Sequence, residues 1–379
     1  MSALAADERR ALARAIALAE RVQRHTAPNP AVGCVLLRDG EIVGEGATQP
    51  PGGRHAEAEA LAVAGGAAAG ATACVTLEPC AHVGRTPPCA PALAAAGVRR
   101  VVYAHADPHA VAAGGADHLR SRGVEVVGPD EVGEVLRGAI AGQLEGFLRV
   151  ATSGRPHVTL KLAQTADGAL RAGDGRRWIT DSGARTAVHR WRAAVDAVLV
   201  GSGTVLADDP RLDVRHVTAP RQPRAVVLDR RLRTPPTAAV VARGALVFTG
   251  AEPPPDRRRA LEQAGAQVVP VAAPDAEWLG AALGSLAGHG VRSVLAEPGR
   301  TLADALLAAD LVDRVVLHVA LDGPGAGRRA VTPAPGRHLD TERVGGAGPD
   351  LVLHLRPSPA PHLFPPPSQP FPPPSQGVR

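Results

Sequence analysis

One short stretch constrains this chain more than any other: His55-Ala56-Glu57, then Glu78-Pro79-Cys80, then Pro88-Cys89. One imidazole and two thiolates fit a tetrahedral zinc with its fourth position left to water, as catalytic sites require. Glu57 stands two residues past the histidine, placed to shuttle protons without ligating, as in the H-x-E and P-C signature of zinc deaminases. Zinc draws the pKa of bound water toward neutrality, so hydroxide becomes available at ordinary pH. Any fold of this chain must bring these four side chains together.

The flanking residues say how. Glu57 to Ala64 is a strong helix former stopped at Gly65-Gly66, which puts His55 and Glu57 in a first turn. Ala73 to Leu77 reads as a buried strand that delivers Cys80, and a second helix from Cys89 to Ala96 stops at Gly97. Both ligand groups then lie near helix N-termini, which favours thiolate. Cys34 and Cys74 fall in apolar strands and read as buried free thiols. Two other readings stay open. One is a nucleobase or nucleoside deaminase with an inactive second domain; the other is a non-enzymatic zinc-stabilised binding protein, which needs a fourth protein ligand.

A length of 379 residues calls for more than one core. Helix is expected over Asp7–Val22, a hairpin over Val32–Leu37 and Glu41–Gly46 around Asp39-Gly40, strand over Arg99–Ala104, a helix ending at Arg122, strand over Val124–Val127 and helix over Glu131–Val150. That alternation predicts a three-layer α/β domain over residues 1–150. Turn formers from Ala151 to Pro156 precede a second α/β domain over 155–356. Its strands are expected at His157–Leu162, Ala197–Val200, Arg224–Leu228, Leu246–Phe248, Gln267–Val271, Val291–Ala296, Arg314–Val319 and Leu351–Leu355. Its helices are expected at Ser182–Ala194, Asp256–Ala264, Ala276–Leu286 and Leu302–Ala309. Residues 357–379, proline-rich and nearly repeated, read as a disordered or polyproline II tail.

The net charge of +5 would suit nucleic acid, but the basic residues are scattered and aromatics make up 2%, too few for stacking platforms. A phosphorylated small molecule suits the charge better. No run is long enough to span a bilayer, and the early charges argue against a secretory signal. A cytoplasmic homo-oligomer that binds neither nucleic acid nor membrane is the expectation.

Eight residues, Ala81 to Pro88, separate the two thiols where many zinc deaminases have Cys-x-x-Cys. With Pro28-Asn29-Pro30-Ala31-Val32-Gly33 and Thr76 to Cys89, the first half resembles the bifunctional deaminase/reductase of riboflavin biosynthesis. The second half resembles the same family's reductase through Leu160-Lys161-Leu162-Ala163, Asp167-Gly168, Trp178-Ile179-Thr180, Gly203 to Pro210, and Glu297 to Leu302. The resemblance implies a cytidine-deaminase-like zinc domain followed by a dihydrofolate-reductase-like domain that uses NADPH. It implies Zn2+ on His55, Cys80 and Cys89, catalysis by Glu57, and pyrimidine and ribose phosphate contacts from Asn29, His82 and Arg85.

In the second half it implies substrate contacts from Arg176, Arg192, Leu212, Arg215 and Glu297. NADPH contacts are implied for Ala163, Trp178, Thr204, Asp208, Gly299, Arg300, Thr301, Leu302, Ala303, Asp304 and Ala305, with Arg230 able to meet the 2′-phosphate. Lys161, the one lysine of the chain, sits in an otherwise apolar strand and needs a partner or a purpose. Together with Asp208 it is expected to position substrate and control charge. Pro298 leaves the cofactor cradle one amide short. The implied reactions are hydrolytic deamination of 2,5-diamino-6-(5-phosphoribosylamino)pyrimidin-4(3H)-one and NADPH-dependent reduction of its ribosyl group.

Overall fold

Residues 11, 12, 15 and 19 recur at helical spacing, and helix α1 (Ala6–Val22) buries all four against the first sheet. A computed structural model of the chain describes residues 4–23, 25–82, 86–108, 113–172, 178–219, 221–321, 325–329, 338–347 and 350–358. After α1 come β1 (Gly33–Arg38) and β2 (Glu41–Ala47). Asp39 and Gly40 join them with φ of 52° and 82°, the paired positive values that a two-residue hairpin turn needs. Then follow α2 (Ala56–Ala64), β3 (Thr72–Val75), α3 (Cys89–Ala95), β4 (Arg100–Tyr103), α4 (Gly115–Ser121), β5 (Glu125–Val127), α5 (Pro129–Val132) and α6 (Glu134–Ser153). The strands form one sheet in the order β2-β1-β3-β4-β5.

Helices cover both faces of this sheet. A Cβ on Gly33 would lie 1.9 Å from the Ala15 carbonyl of α1, whereas one on Gly46 would lie 2.1 Å from the Ala56 carbonyl of α2. Gly46 pairs with Cys34, the neighbour of Gly33 in β1, and successive residues of a strand face opposite sides. The single helix expected over Glu131–Val150 is two, α5 and α6, because Gly133 takes a φ of 83° between them. α6 runs on to Ser153 and stops at Gly154 in the left-handed region.

The second half contains β6 (His157–Thr165), β7 (Ala169–Ala172), α7 (Ser182–Ala194), β8 (Ala197–Gly201), α8 (Ser202–Asp208), β9 (Arg224–Leu228), β10 (Leu246–Gly250) and α9 (Pro255–Gln263). It continues with β11 (Gln267–Val271), α10 (Trp278–Gly288), β12 (Ser293–Ala296), α11 (Arg300–Ala308), β13 (Arg314–Ala320), β14 (Gly325–Arg329), β15 (His338–Ala347) and β16 (Asp350–Ser358). Nine strands make a sheet in the order β11-β10-β9-β8-β12-β6-β13-β16-β15, and β14 pairs with β7 apart from it. Val158, Leu160, Leu199 and Phe248 pack under α10 and α11 on one face; Val198, Val200 and Val247 pack with Leu261 of α9 on the other.

Five elements of the second half depart from the sequence expectation. β7 is a four-residue Ala-Leu-Arg-Ala stretch and β14 is built of Gly, Ala and Arg, both too short or too poor in large apolar residues to show the alternation that marks a strand. β15 carries Asp340, Glu342 and Arg343 on a sheet edge, where a strand needs no buried face. α8 is not among the expected helices; Gly203 in its first turn is a poor helix former. β16 reaches Ser358, so the first residues of the expected tail are strand; the rest of that tail lies outside the described residues.

The halves meet along α6. Ile140, Leu144 and Leu148 complete the first core, while the helix also packs near β6 and reaches Arg314 at the start of β13 through Glu145. Glu145 takes both Arg314 Nη1 and Nη2, at 3.1 and 2.9 Å. Asp313 accepts Arg155 Nη1 at 2.7 Å, Arg155 Nη2 at 3.0 Å and the Val158 amide at 2.8 Å, and pairs with Arg149. Among the described residues, no helix is long and apolar enough to cross a membrane.

Candidate active sites

His55 is the N-cap of α2 and Cys89 the first residue of α3, so the two helix starts and the loop after β3 converge as the flanking sequence predicts. His55 Nδ1 lies 3.7 Å from Cys80 Sγ and 3.4 Å from Cys89 Sγ. Ideal tetrahedral zinc with Zn–N near 2.0 Å and Zn–S near 2.3 Å would hold nitrogen and sulfur about 3.5 Å apart. The donor set therefore fits zinc in both chemistry and spacing. His55, Cys80 and Cys89 are the one such donor group among the described residues, and they supply three ligands, which counts against the closed four-ligand alternative.

The hydrogen bonds around the donors also suit a metal. His55 Nδ1 is turned to the sulfurs as a ligand nitrogen would be, and Nε2 lies 3.1 Å from Thr86 Oγ1, the usual way a ligand histidine is oriented. The Cys89 amide donates to Cys80 Sγ at 3.4 Å. That amide, the Cys89 thiol and His55 hold the Cys80 thiol down to about 4, with the bond from Cys89 the largest influence. The Cys89 thiol is pushed up because it keeps the proton that the pair shares. Zinc would take that proton's place, since thiolate is the ligand.

Glu57, 4% exposed, lies close enough to His55, Cys80 and Cys89 for all three to act on its carboxyl. Burial, with the Cys80 thiolate nearby, pushes its carboxyl up to about 7. A carboxyl at that value can both accept and return a proton near neutral pH. Behind the site, buried Glu78 accepts the Ala116 amide at 3.0 Å and the Asp107 amide at 3.3 Å, tying the Pro79-Cys80 loop to the segment before α4. Glu78 and Thr86 fall in the motif stretch but have no role assigned from the sequence; an acid just before Pro-Cys was the available signal for Glu78. Asn29 lines a cavity between the halves whose lining includes none of His55, Glu57, Cys80 and Cys89, and His82 is half-buried with Nδ1 unpartnered among the described residues. Arg85 lies outside the described residues. Cys34 and Cys74 are free and buried, as expected.

In the second half, sheet register assembles a charged face. Thr159 pairs with Leu295, which sets Lys161 beside Glu297, and Lys161 pairs with Val316. Arg192 of α7 grips Glu297 through Nε at 2.7 Å and Nη2 at 2.9 Å and donates Nη1 to the Asp213 carbonyl at 3.0 Å. With five donors on a guanidinium, this leaves N–H capacity for a ligand. Burial lowers the Lys161 ammonium's pKa while Glu297 opposes that. Arg215 Nη1 reaches Asp213 at 2.5 Å, and its amide donates to His189 Nδ1 at 3.2 Å. His189 thus accepts as a neutral ring, in keeping with a pKa depressed to about 4 by burial and Arg192. Leu212 differs from expectation: it is 1% exposed, packed in the core, so what it offers the site is the turn made by its φ of 52°. Arg176 lies outside the described residues.

The start of α8 and the start of α11 form a cradle. A Cβ on Gly201 would come within 3.1 Å of Leu302, and the Gly299 amide donates to Thr204 Oγ1 at 3.1 Å. Thr204 and Asp208, one turn apart on α8, share a helix face. Arg300 pairs with Asp304 at 2.7 Å, leaving Thr301 and Ala305 beside them on the same helix. Ala303 turns into the core and gives its amide to the Gly299 carbonyl, so its side chain is not a ligand contact. Trp178 is 54% exposed rather than core, with the Arg185 guanidinium 5.8 Å from its ring. Arg230 is exposed and pairs with Asp275, while Arg233 reaches Ser202 Oγ at 2.8 Å. Ala163 follows Lys161 on the same face of β6. The cradle's close backbone, helix start and cations suit a dinucleotide phosphate.

Comparison with known proteins finds a zinc-binding deaminase region in the first half and a reductase domain in the second. Residues 6–105 match the cytidine and deoxycytidylate deaminase zinc-binding region, and residues 156–353 match the RibD C-terminal domain. The chain is 40% identical over 361 residues to the riboflavin biosynthesis protein RibD of Mycobacterium tuberculosis, covering 91% of this chain and 96% of that one. It is 39% identical over 367 residues to the Escherichia coli RibD, covering 91% and 98%. Among solved structures, Acinetobacter baumannii RibD superposes with a TM-score of 0.81 at 36% identity, covering 93% of this chain and 99% of that one. A Thermotoga maritima diaminohydroxyphosphoribosylaminopyrimidine deaminase/5-amino-6-(5-phosphoribosylamino)uracil reductase gives 0.78 at 32% identity with the same coverage.

Proposed function

The chain belongs to the RibD family of riboflavin biosynthesis, and from that premise we propose how its own residues divide the work of a zinc-dependent deaminase and an NADPH-dependent reductase. The substrate of the first half is 2,5-diamino-6-(5-phosphoribosylamino)pyrimidin-4(3H)-one, and the product of the second is 5-amino-6-(5-phosphoribitylamino)uracil. Zinc, when bound, makes water a nucleophile at ordinary pH; NADPH, when bound, supplies hydride.

In the first half His55, Cys80 and Cys89 would hold the metal, and Thr86 would keep the His55 ring turned to it. Glu57 takes the proton from water at its carboxylate and passes it to the departing amine, a double duty supported by its pKa near 7. Asn29 reads the pyrimidine edge, and His82 and Arg85 reach its phosphate side. In the second half Arg192 and Arg215 bind the ribose phosphate, and Lys161, beside Glu297, places its ammonium over the opened sugar. Thr204, Gly299 to Leu302 and Trp178 hold the cofactor, with Asp208 and Arg230 at its rim.

The observation that carries this reading is the three-donor cluster with a buried carboxyl against it. Glu57→Ala should abolish ammonia release, keep zinc bound and leave NADPH oxidation on the deaminated intermediate intact. Loss of both activities with zinc retained would show that the halves do not divide the reaction this way.

The chain acts on small molecules; that they are phosphorylated pyrimidines, that it avoids nucleic acid, and that it self-associates in the cytoplasm belong to the same proposal. Four free cysteines suit a reducing compartment. Ion pairing of Arg14, Arg100, Arg192 and Arg314 leaves fewer cations for nucleic acid. The edge strand β15, with Val344 58% exposed, is a surface suited to pairing between copies. Light scattering across a dilution series tests the last point.

A further inference from the structure

Between the halves lies a cavity of about 250 Å3, with Asn29 on one wall and Trp191, Arg221 and Arg292 on the other. The turn that presents Asn29 is closed by its own amide on the Thr26 carbonyl at 2.7 Å. Further along, the Val32 amide binds Thr48 Oγ1 and the Gly33 amide binds Thr76 Oγ1, both at 3.1 Å. Those bonds lie within the deaminase half. In the middle of the turn, the Pro28 carbonyl accepts instead from Arg292 Nε at 3.0 Å, and Arg292 comes from the reductase half, one residue before β12. Arg292 is itself fixed: its amide donates to Asp196 Oδ2 at 2.9 Å and its carbonyl accepts the His157 amide at 2.9 Å.

We propose that Arg292 is a positioning residue for deamination: the reductase half supplies the guanidinium that fixes the Thr26–Asn29 turn, and thereby sets how well Asn29 binds the pyrimidine. The inference rests on the reading of Asn29 as a substrate contact. An interaction made equally in ground state and transition state shows in KM and not in kcat. The bond from Arg292 acts on the pose of such a contact, so its loss falls on substrate affinity. A lysine at 292 keeps a long stem and a donor for the same carbonyl.

The test uses the full chain loaded with zinc, assayed separately for ammonia release and for NADPH oxidation on the deaminated intermediate. Arg292→Ala should raise the deaminase KM about tenfold, the equivalent of one good hydrogen bond's worth of binding. Its kcat should stay within about twofold, and both reductase constants should be unchanged. Arg292→Lys should recover most of the lost affinity. Asn29→Ala is the control, and should raise the same KM. If Asn29→Ala raises it and Arg292→Ala does not, the inference is wrong while the reading of Asn29 stands. If Asn29→Ala has no effect, the reading of Asn29 fails and takes the inference with it. If Arg292→Ala lowers both activities together with the melting temperature, Arg292 is merely structural and the proposal is overturned.

Discussion

Asp313 gathers two buried arginines and a backbone amide on one carboxylate, and Asp313→Asn tests what that charge is worth. Its side chain is 2% exposed and takes two bonds from Arg155, one from the Val158 amide and a pairing with Arg149. Removing one partner of a buried ion pair costs roughly 3–5 kcal/mol, because the stranded charge keeps its desolvation penalty. At about 2–4 °C per kcal/mol for units of 150–250 residues, the melting temperature should fall by roughly 6–20 °C. Burial pushes the Asp313 carboxyl up, but Arg155, His157 and Arg149 outweigh it and hold it below its ordinary value.

A carboxyl with a depressed folded pKa stabilises fully above its unfolded pKa of about 3.9 and loses that contribution as pH falls through the folded value. The gap between wild type and Asp313→Asn should therefore be constant from neutral pH down to about 4 and close only below it. Differential scanning calorimetry across pH reads both. The triple variant R149M/R155L/D313L, which leaves no buried charge stranded, should recover most of the loss. A melting temperature within about 2 °C of wild type for Asp313→Asn would refute the reasoning.

Cys80→Ser, or treatment with a zinc chelator, should remove metal and ammonia release while reductase turnover persists, as elemental analysis and the two separate assays will show. Thr204→Val removes the acceptor of the Gly299 amide and should raise the KM for NADPH by about three- to tenfold, with little change in melting temperature. Gly46→Ala puts a methyl 2.1 Å from the Ala56 carbonyl, so α2 must shift; a loss of roughly 1–3 kcal/mol in urea unfolding and weaker zinc retention are expected.

The zinc half was legible because its signals are local. Helix formers, glycine stops and a buried strand fix where His55, Cys80 and Cys89 sit before any long-range contact is known. Thr86 was not legible, since its role depends on which histidine nitrogen faces the sulfurs. The reductase face was harder to read. Lys161 was conspicuous as the one lysine in an apolar strand, but its place beside Glu297 comes from a parallel register between segments far apart in sequence. Arg192 could have been a solvated helix residue and is instead clasped by Glu297. The edge strand β15 escaped because an edge without a buried face carries no alternation to read.

Helix α6 has one side seated in the first core through Ile140, Leu144 and Leu148, and Glu145 and Arg149 tied to the second sheet. No slack tether joins the two catalysts; a single rigid beam does. Severing the gene between them would strip Arg149 of its counterion and Arg314 of its clasp, so neither piece would inherit a finished surface. Transplanting either half onto a foreign partner would mean rebuilding that seam residue by residue.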